Sequence, residues 1–152
     1  APNVYLPSHY HRNGSEGKDF PLLVWLCGSL TCANVCFHYF AFRQLTDTYG
    51  FIFVSVDNAL DAGRQGRRFC HPLLSVYSAN CPQSEYDDTS YIWSIIQEVK
   101  AAYRVSDVFL GGWSNGATTA LGVARVYGVG VSAVVALSAG RVLPYTREEW
   151  KP

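Results

Sequence analysis

The stretch VFLGGWSNGATTA, residues 108–120, decides how the rest of the chain is read. It passes from an apolar run through Gly112-Trp113-Ser114-Asn115-Gly116 into the small residues Ala117, Thr118, Thr119 and Ala120. A serine nucleophile on a sharp strand-to-helix turn calls for this order. The serine oxygen must project from the carboxyl edge of a sheet, the neighbouring backbone must approach closely, and the next N–H must face the developing oxyanion. Gly112 and Gly116, two residues either side of Ser114, allow the close approach. The small residues behind them let the following helix lie against the sheet. A plain glycine-rich turn would use the same residue types. The strand before the pattern and the helix after it favour the nucleophile geometry.

Working outward, three further segments match the apolar run of 108–112. PLLVWLCG (21–28), FIFVSVDN (51–58) and VSAVVALSAG (131–140) are continuous apolar runs bounded by Gly, Asp or Asn. Such runs read as strands buried on both faces. NVYLP (3–7) is short and alternating, and reads as an edge strand. Helical patterns lie between. Residues 33–48 read as one helix ending at Tyr49-Gly50, a C-cap signal. Residues 87–103 carry Tyr91, Ile92, Ile95, Ile96, Val99 and Tyr103 at helical spacing, with Asp87 or Asp88 to cap the start. Residues 115–127 stop at Gly128. The alternation predicts an α/β fold, a mostly parallel sheet with helices on both faces, in one domain spanning 1–152. The connection 59–84 is about twice the length at which structureless loops become uncommon.

Composition narrows the function. The chain has 152 residues, with Lys+Arg and Asp+Glu balanced at 12 each, so no charge excess argues for a nucleic-acid partner or a membrane surface. The longest apolar runs are about half of what a membrane span needs. The chain starts Ala1-Pro2 without a Met, as a secreted chain does once its leader is removed, or as a trimmed chain would. Its 5 cysteines lean toward an oxidising compartment. Cys27, inside an apolar run, reads as a buried thiol. Cys70 and Cys81 flank a loop and are the expected disulfide pair. Cys32 and Cys36 would share a helix face as neighbours. Together with His38 they are too few for a zinc site, which needs paired ligand clusters. No metal and no cofactor is expected.

In order and spacing, PLLVWLCG, YGFIFVSVDNA, DDTSYIWSIIQEVKAAYRVSDVFLGGWSNGATTA and VSAVVALSAG resemble the secreted α/β-hydrolase esterases. The resemblance is to the group of polyhydroxybutyrate depolymerases, feruloyl esterases and acetylxylan esterases, and covers residues 3–140. It implies Ser114 as nucleophile and Asn115 as one oxyanion donor, with a small-molecule or polymer ester as substrate. The second donor in such a site comes from the loop after an earlier strand. Here that is Cys27-Gly28-Ser29, with the Ser29 N–H as donor and Cys27 where the group carries His. The group's triad continues with an acid and then a histidine. All 4 histidines of this chain, His9, His11, His38 and His71, precede Ser114. Triads are defined by geometry and not by chain order. His71 follows the second main strand, whose end lies at the same sheet edge as Ser114, and is the candidate base. Asp57, at that edge, could orient a base or cap a turn. The resemblance also implies that the chain ends after the group's sixth strand, leaving a sheet edge open to self-association. Two functions follow. One is a serine esterase. The other is a non-catalytic binding domain that keeps the sheet without a complete triad.

Overall fold

The computed structural model describes residues 3–11, 17–28, 33–57 and 88–139. Within them, five strands form one sheet in the order β1-β3-β2-β4-β5. The strands are β1 Asn3–Tyr5, β2 Phe20–Leu26, β3 Ile52–Val56, β4 Val105–Trp113 and β5 Ala133–Leu137. β1 pairs antiparallel at one edge and the remaining pairs are parallel, as the apolar runs and the short alternating segment predict. Among the described residues, four α-helices, α1 Ala33–Tyr39, α2 Phe42–Tyr49, α3 Asp88–Ala102 and α4 Asn115–Tyr127, and a short 3-10 helix at Gly128–Gly130 complete the order.

Alternate residues of the inner strands feed two cores. Leu22, Val24, Leu26, Ile52, Val54 and Val56 pack with Ile92, Ile95, Ile96 and Val99 of α3 and with Ala120, Val123 and Ala124 of α4. Trp25, Cys27 and Phe53 pack with Cys36, Phe37 and Phe42. Helices therefore cover both faces, which is why β2 and β3 are apolar apart from Ser55 instead of alternating. Gly111 is explained by this packing. It pairs with Trp25 across the ladder, and a Cβ there would lie 2.5 Å from Trp25 Cε3.

Residues 33–48 are not the single helix expected from their composition. The chain breaks between α1 and α2, with Ala41 in the left-handed region at φ 52°. The break has a packing reason. From Phe37 to Phe42 an unbroken helix would rotate by about 140° off the buried stripe. Breaking it lets Cys36 and Phe37 on α1, and Phe42 and Thr46 on α2, all turn inward. The end is as expected: Gly50 has φ 71° and its N–H donates to Thr46 O at 2.9 Å.

The amino edge of the sheet is closed by Arg104. Its backbone N–H donates to the Tyr10 hydroxyl at 3.1 Å, and its guanidinium donates to Tyr10 O at 2.9 Å. The guanidinium also sits 4.8 Å from the Tyr10 ring centroid. At the far side of the sheet, β5 pairs only with β4 among the described residues. Val135 and Leu137 on β5 remain 52% and 42% exposed.

Leu110 lies in β4, one of the inner strands, and is fully buried. Leu110→Ala leaves a cavity that neighbours on a rigid ladder fill poorly. It is expected to lower the unfolding free energy by about 2–5 kcal/mol, read as a reduced urea midpoint at unchanged slope.

Candidate active site

Ser114 stands at the junction of β4 and α4 with φ 56° and ψ −120°. Only glycine adopts this region freely, so a serine here holds backbone strain of about 1–3 kcal/mol. The strain persists because the surrounding backbone leaves no other path. A Cβ on Gly112 would lie 2.6 Å from Ala117 N, so β4 and α4 touch there. A Cβ on Gly116 would run into the carbonyl oxygens of Leu26 and Cys27, so α4 lies directly on the end of β2. A Cβ on Gly28 would lie 3.3 Å from both Ser114 Cβ and Trp113 O. Three backbone segments thus converge on residue 114.

Hydrogen bonds fix the same turn. The Ser114 N–H donates to Leu137 O on β5 at 2.8 Å. Ser114 O accepts from the Thr118 N–H at 3.2 Å and from Thr118 Oγ1 at 3.4 Å. Thr119 Oγ1 donates to Asn115 O at 3.0 Å. Asn115 is the first residue of α4, where helix N–H groups point out along the axis and the dipole favours negative charge.

The structure therefore brings Ser114, Asn115, Gly112, Gly116 and Gly28 together at the carboxyl edge. Ser29 and His71 lie outside the described residues, as do Cys32, Cys70 and Cys81. Two other histidines are placed at the opposite edge. His9 packs on Phe20 at 5.7 Å and His11 on Tyr10 at 4.8 Å, beside Arg104. His38 is exposed on the last turn of α1, edge-on to Phe37 at 5.4 Å.

Two groups at the carboxyl edge depart from or sharpen the sequence reading. Cys27 is buried, but it is not a free thiol: its sulfur is bonded to Cys36 of α1, with the Cα atoms 6.1 Å apart. The strand end and the inward face of α1 bring the two sulfurs together, which also removes Cys36 as a metal ligand. Asp57 acts as a cap. Its Oδ1 accepts the Ala33 N–H at 2.7 Å, the first N–H of α1. Next to it, Ser55 Oγ donates to Ala33 O at 3.0 Å. Tyr91, at the start of α3, has its phenol pKa raised, first by burial and then by the negative charges of Asp57, Asp88 and Glu98. It stays protonated at neutral pH. Beside the turn, Trp113 is 39% exposed and edge-on to Phe40 at 6.4 Å, a contact not anticipated from sequence.

No protein-family model and no curated protein sequence matches the chain. Solved structures do match. One is FphF, a fluorophosphonate-binding serine hydrolase of Staphylococcus aureus, at 17% identity and TM-score 0.64, covering 90% of this chain and 49% of that one. Another is Est1E from Butyrivibrio proteoclasticus with ferulic acid bound, at 16% identity and TM-score 0.63, covering 91% and 49%. A third is an acetyl xylan esterase from Aspergillus awamori, at 16% identity and TM-score 0.58, covering 86% and 43%. The fold is that of the α/β-hydrolases, and its structural neighbours are serine hydrolases and esterases. The chain spans about half the length of these neighbours.

The strain at residue 114 predicts a stability difference. Ser114→Gly relieves it and only partly gives the gain back through a looser unfolded chain. Ser114→Gly is expected to be more stable than Ser114→Ala by about 1 kcal/mol, measured by thermal and urea unfolding.

Proposed function

We propose that this chain carries the nucleophile and oxyanion pocket of a serine ester hydrolase. The observation that supports this most is the strained backbone of Ser114, at φ 56° and ψ −120°, between β4 and α4. Strained residues of this kind cluster at active sites. Ser114 Oγ attacks the ester carbonyl. The N–H groups of Asn115 and Ser29 stabilise the oxyanion, the alcohol leaves, and water hydrolyses the acyl-enzyme. His71 takes the proton from Ser114 Oγ and passes it to the leaving alcohol. It is the candidate because it follows β3 in sequence, and β3 ends at the same edge, while His9 and His11 are held at the other. The substrates are carboxylic esters of small molecules or polymers, of the feruloyl, acetyl or polyester kind. The neighbours with ferulic acid bound and with acetyl xylan esterase activity favour this class. Secretion fits the disulfide at Cys27–Cys36.

A fluorophosphonate tests this directly, with intact mass as the readout. One adduct per chain is expected, absent in Ser114→Ala. His71→Ala should slow labelling and ester turnover by several powers of ten. An unlabelled, folded chain would favour the second reading, a binding domain without its own base.

We also propose that β5 is a self-association edge, since Val135 and Leu137 are exposed on a parallel strand. Light scattering should show a dimer or larger species that Val135→Lys shifts toward monomer. A monomer at all concentrations would contradict this.

A further inference from the structure

Two rings meet where the serine turn approaches the break between α1 and α2. Trp113 immediately precedes Ser114, and Phe40 immediately precedes Ala41. Ser114 and Ala41 are both non-glycine residues at positive φ, 56° and 52°. Each ring is thus carried by a turn with a set backbone. Their centroids lie 6.4 Å apart, with the planes at 72°. Phe40 is backed by the core. Its ring lies 5.3 Å from Trp25 and 5.7 Å from Phe42. Trp25 is in turn held over Gly111, and Phe42 stacks on Phe53 at 4.3 Å. On its outer side Phe40 meets Tyr39 edge-on at 5.1 Å, and Tyr39 is 78% exposed.

This series of tilted and edge-on rings reaches the surface beside the serine. A Cβ on Gly28 would lie 3.3 Å from Ser114 Cβ and 3.3 Å from Trp113 Cε3, so the serine side chain and the indole edge flank one point. The rings at the amino edge end differently. Tyr10 and Phe20 are covered there by the Arg104 guanidinium, 4.8 and 5.6 Å from their centroids, and Phe20 also by the Lys18 ammonium at 5.8 Å. At the carboxyl edge the series ends on an indole that is 39% exposed.

We propose that Trp113 and Phe40 are specificity-determining residues that bind a planar aromatic ring of the ester substrate. This rests on the reading of Ser114 as nucleophile, and narrows its substrates to esters that carry such a ring near the carbonyl. Aromatic rings prefer offset-stacked or edge-on arrangements with centroids about 4.5–7 Å apart. Phe40 and Trp113 meet as a corner of that kind. A third ring can lie along one and present its edge to the other, which continues the series. A saturated ring of equal size buries a similar area but has no quadrupole to match. A sugar carries hydroxyls around its rim that need polar partners, and the Phe40 ring supplies none. Both rings are held before the substrate arrives, so little side-chain ordering opposes binding.

The test uses two matched pairs of esters, with hydrolysis followed by acid release. Methyl 3-phenylpropanoate against methyl 3-cyclohexylpropanoate puts the ring on the acyl side. Benzyl acetate against cyclohexylmethyl acetate puts it on the alcohol side. In at least one pair, kcat/KM should favour the aromatic ester by about 3- to 10-fold. Trp113→Leu and Phe40→Leu, with folding checked by circular dichroism, should each remove most of that preference. Trp113→Phe, which keeps a ring, should retain part of it. An active wild type with no aromatic preference in either pair would overturn the proposal. So would a preference that survives both leucine variants.

A second measurement does not need the nucleophile. The indole N–H resonance of Trp113, identified by its loss in Trp113→Phe, is followed while 3-phenylpropanol or 3-cyclohexylpropanol is added. The aromatic alcohol should shift it saturably, with a Kd tighter by about 3- to 10-fold. If the folded chain neither labels with a fluorophosphonate nor turns over esters, the nucleophile reading fails, and this titration alone decides the ring site. Equal Kd values for the two alcohols, or no shift with either, would overturn it.

Discussion

Everything at the carboxyl edge depends on the close approach of three backbones around residue 114. Gly112, Gly116 and Gly28 each stand where a Cβ would meet a neighbouring segment: α4, the end of β2, and the serine turn itself. No side chain fits between these segments, so each fixes the next. The consequence is a serine held at positive φ, beside the first N–H groups of a helix. The energy that maintains this geometry comes from elsewhere. It comes from the apolar faces of β2, β3 and β4, buried against α3 and α4 on one side and α1 and α2 on the other. A rigid, doubly covered sheet can carry a local strain of about 1–3 kcal/mol that a flexible loop would relax.

Much of this was legible in the sequence, because the signals are local. Apolar runs bounded by Gly and Asp mark strands buried on both faces, and Gly-x-Ser-x-Gly between a strand and small residues marks the turn. The cysteine pairing was not legible. Which sulfurs meet depends on where α1 lies over the ends of β2 and β3, a tertiary fact. Spacing alone pointed to Cys70 and Cys81, which lie outside the described residues. The break at Ala41 was also hidden. Residues 33–48 are compatible with one helix locally, and only the need to rephase the buried stripe onto the sheet divides them. Asp57 was readable as a residue at the functional edge, but its role as the α1 cap needed the helix start to be placed.

The two ends of the sheet are organised for different work. The amino edge is sealed by Arg104, Tyr10 and Phe20, a stacked and hydrogen-bonded cluster that takes in His9 and His11. The carboxyl edge gathers a strained serine, a helix N-terminus, a capped and disulfide-tethered α1 and a partly exposed Trp113. This asymmetry follows the general rule that open α/β sheets bind ligands at their carboxyl ends. It is why the proposed chemistry is placed there.

The central claim is that Ser114 forms an acyl-enzyme. The most direct measurement is rapid acid quenching of the chain with 4-nitrophenyl acetate, followed by peptide mapping of the trapped species by mass spectrometry. The account predicts an acetyl group on the peptide containing Ser114, formed in a burst and lost as water hydrolyses it. A folded chain that releases no burst of nitrophenol and carries no acetyl group at Ser114 would contradict it.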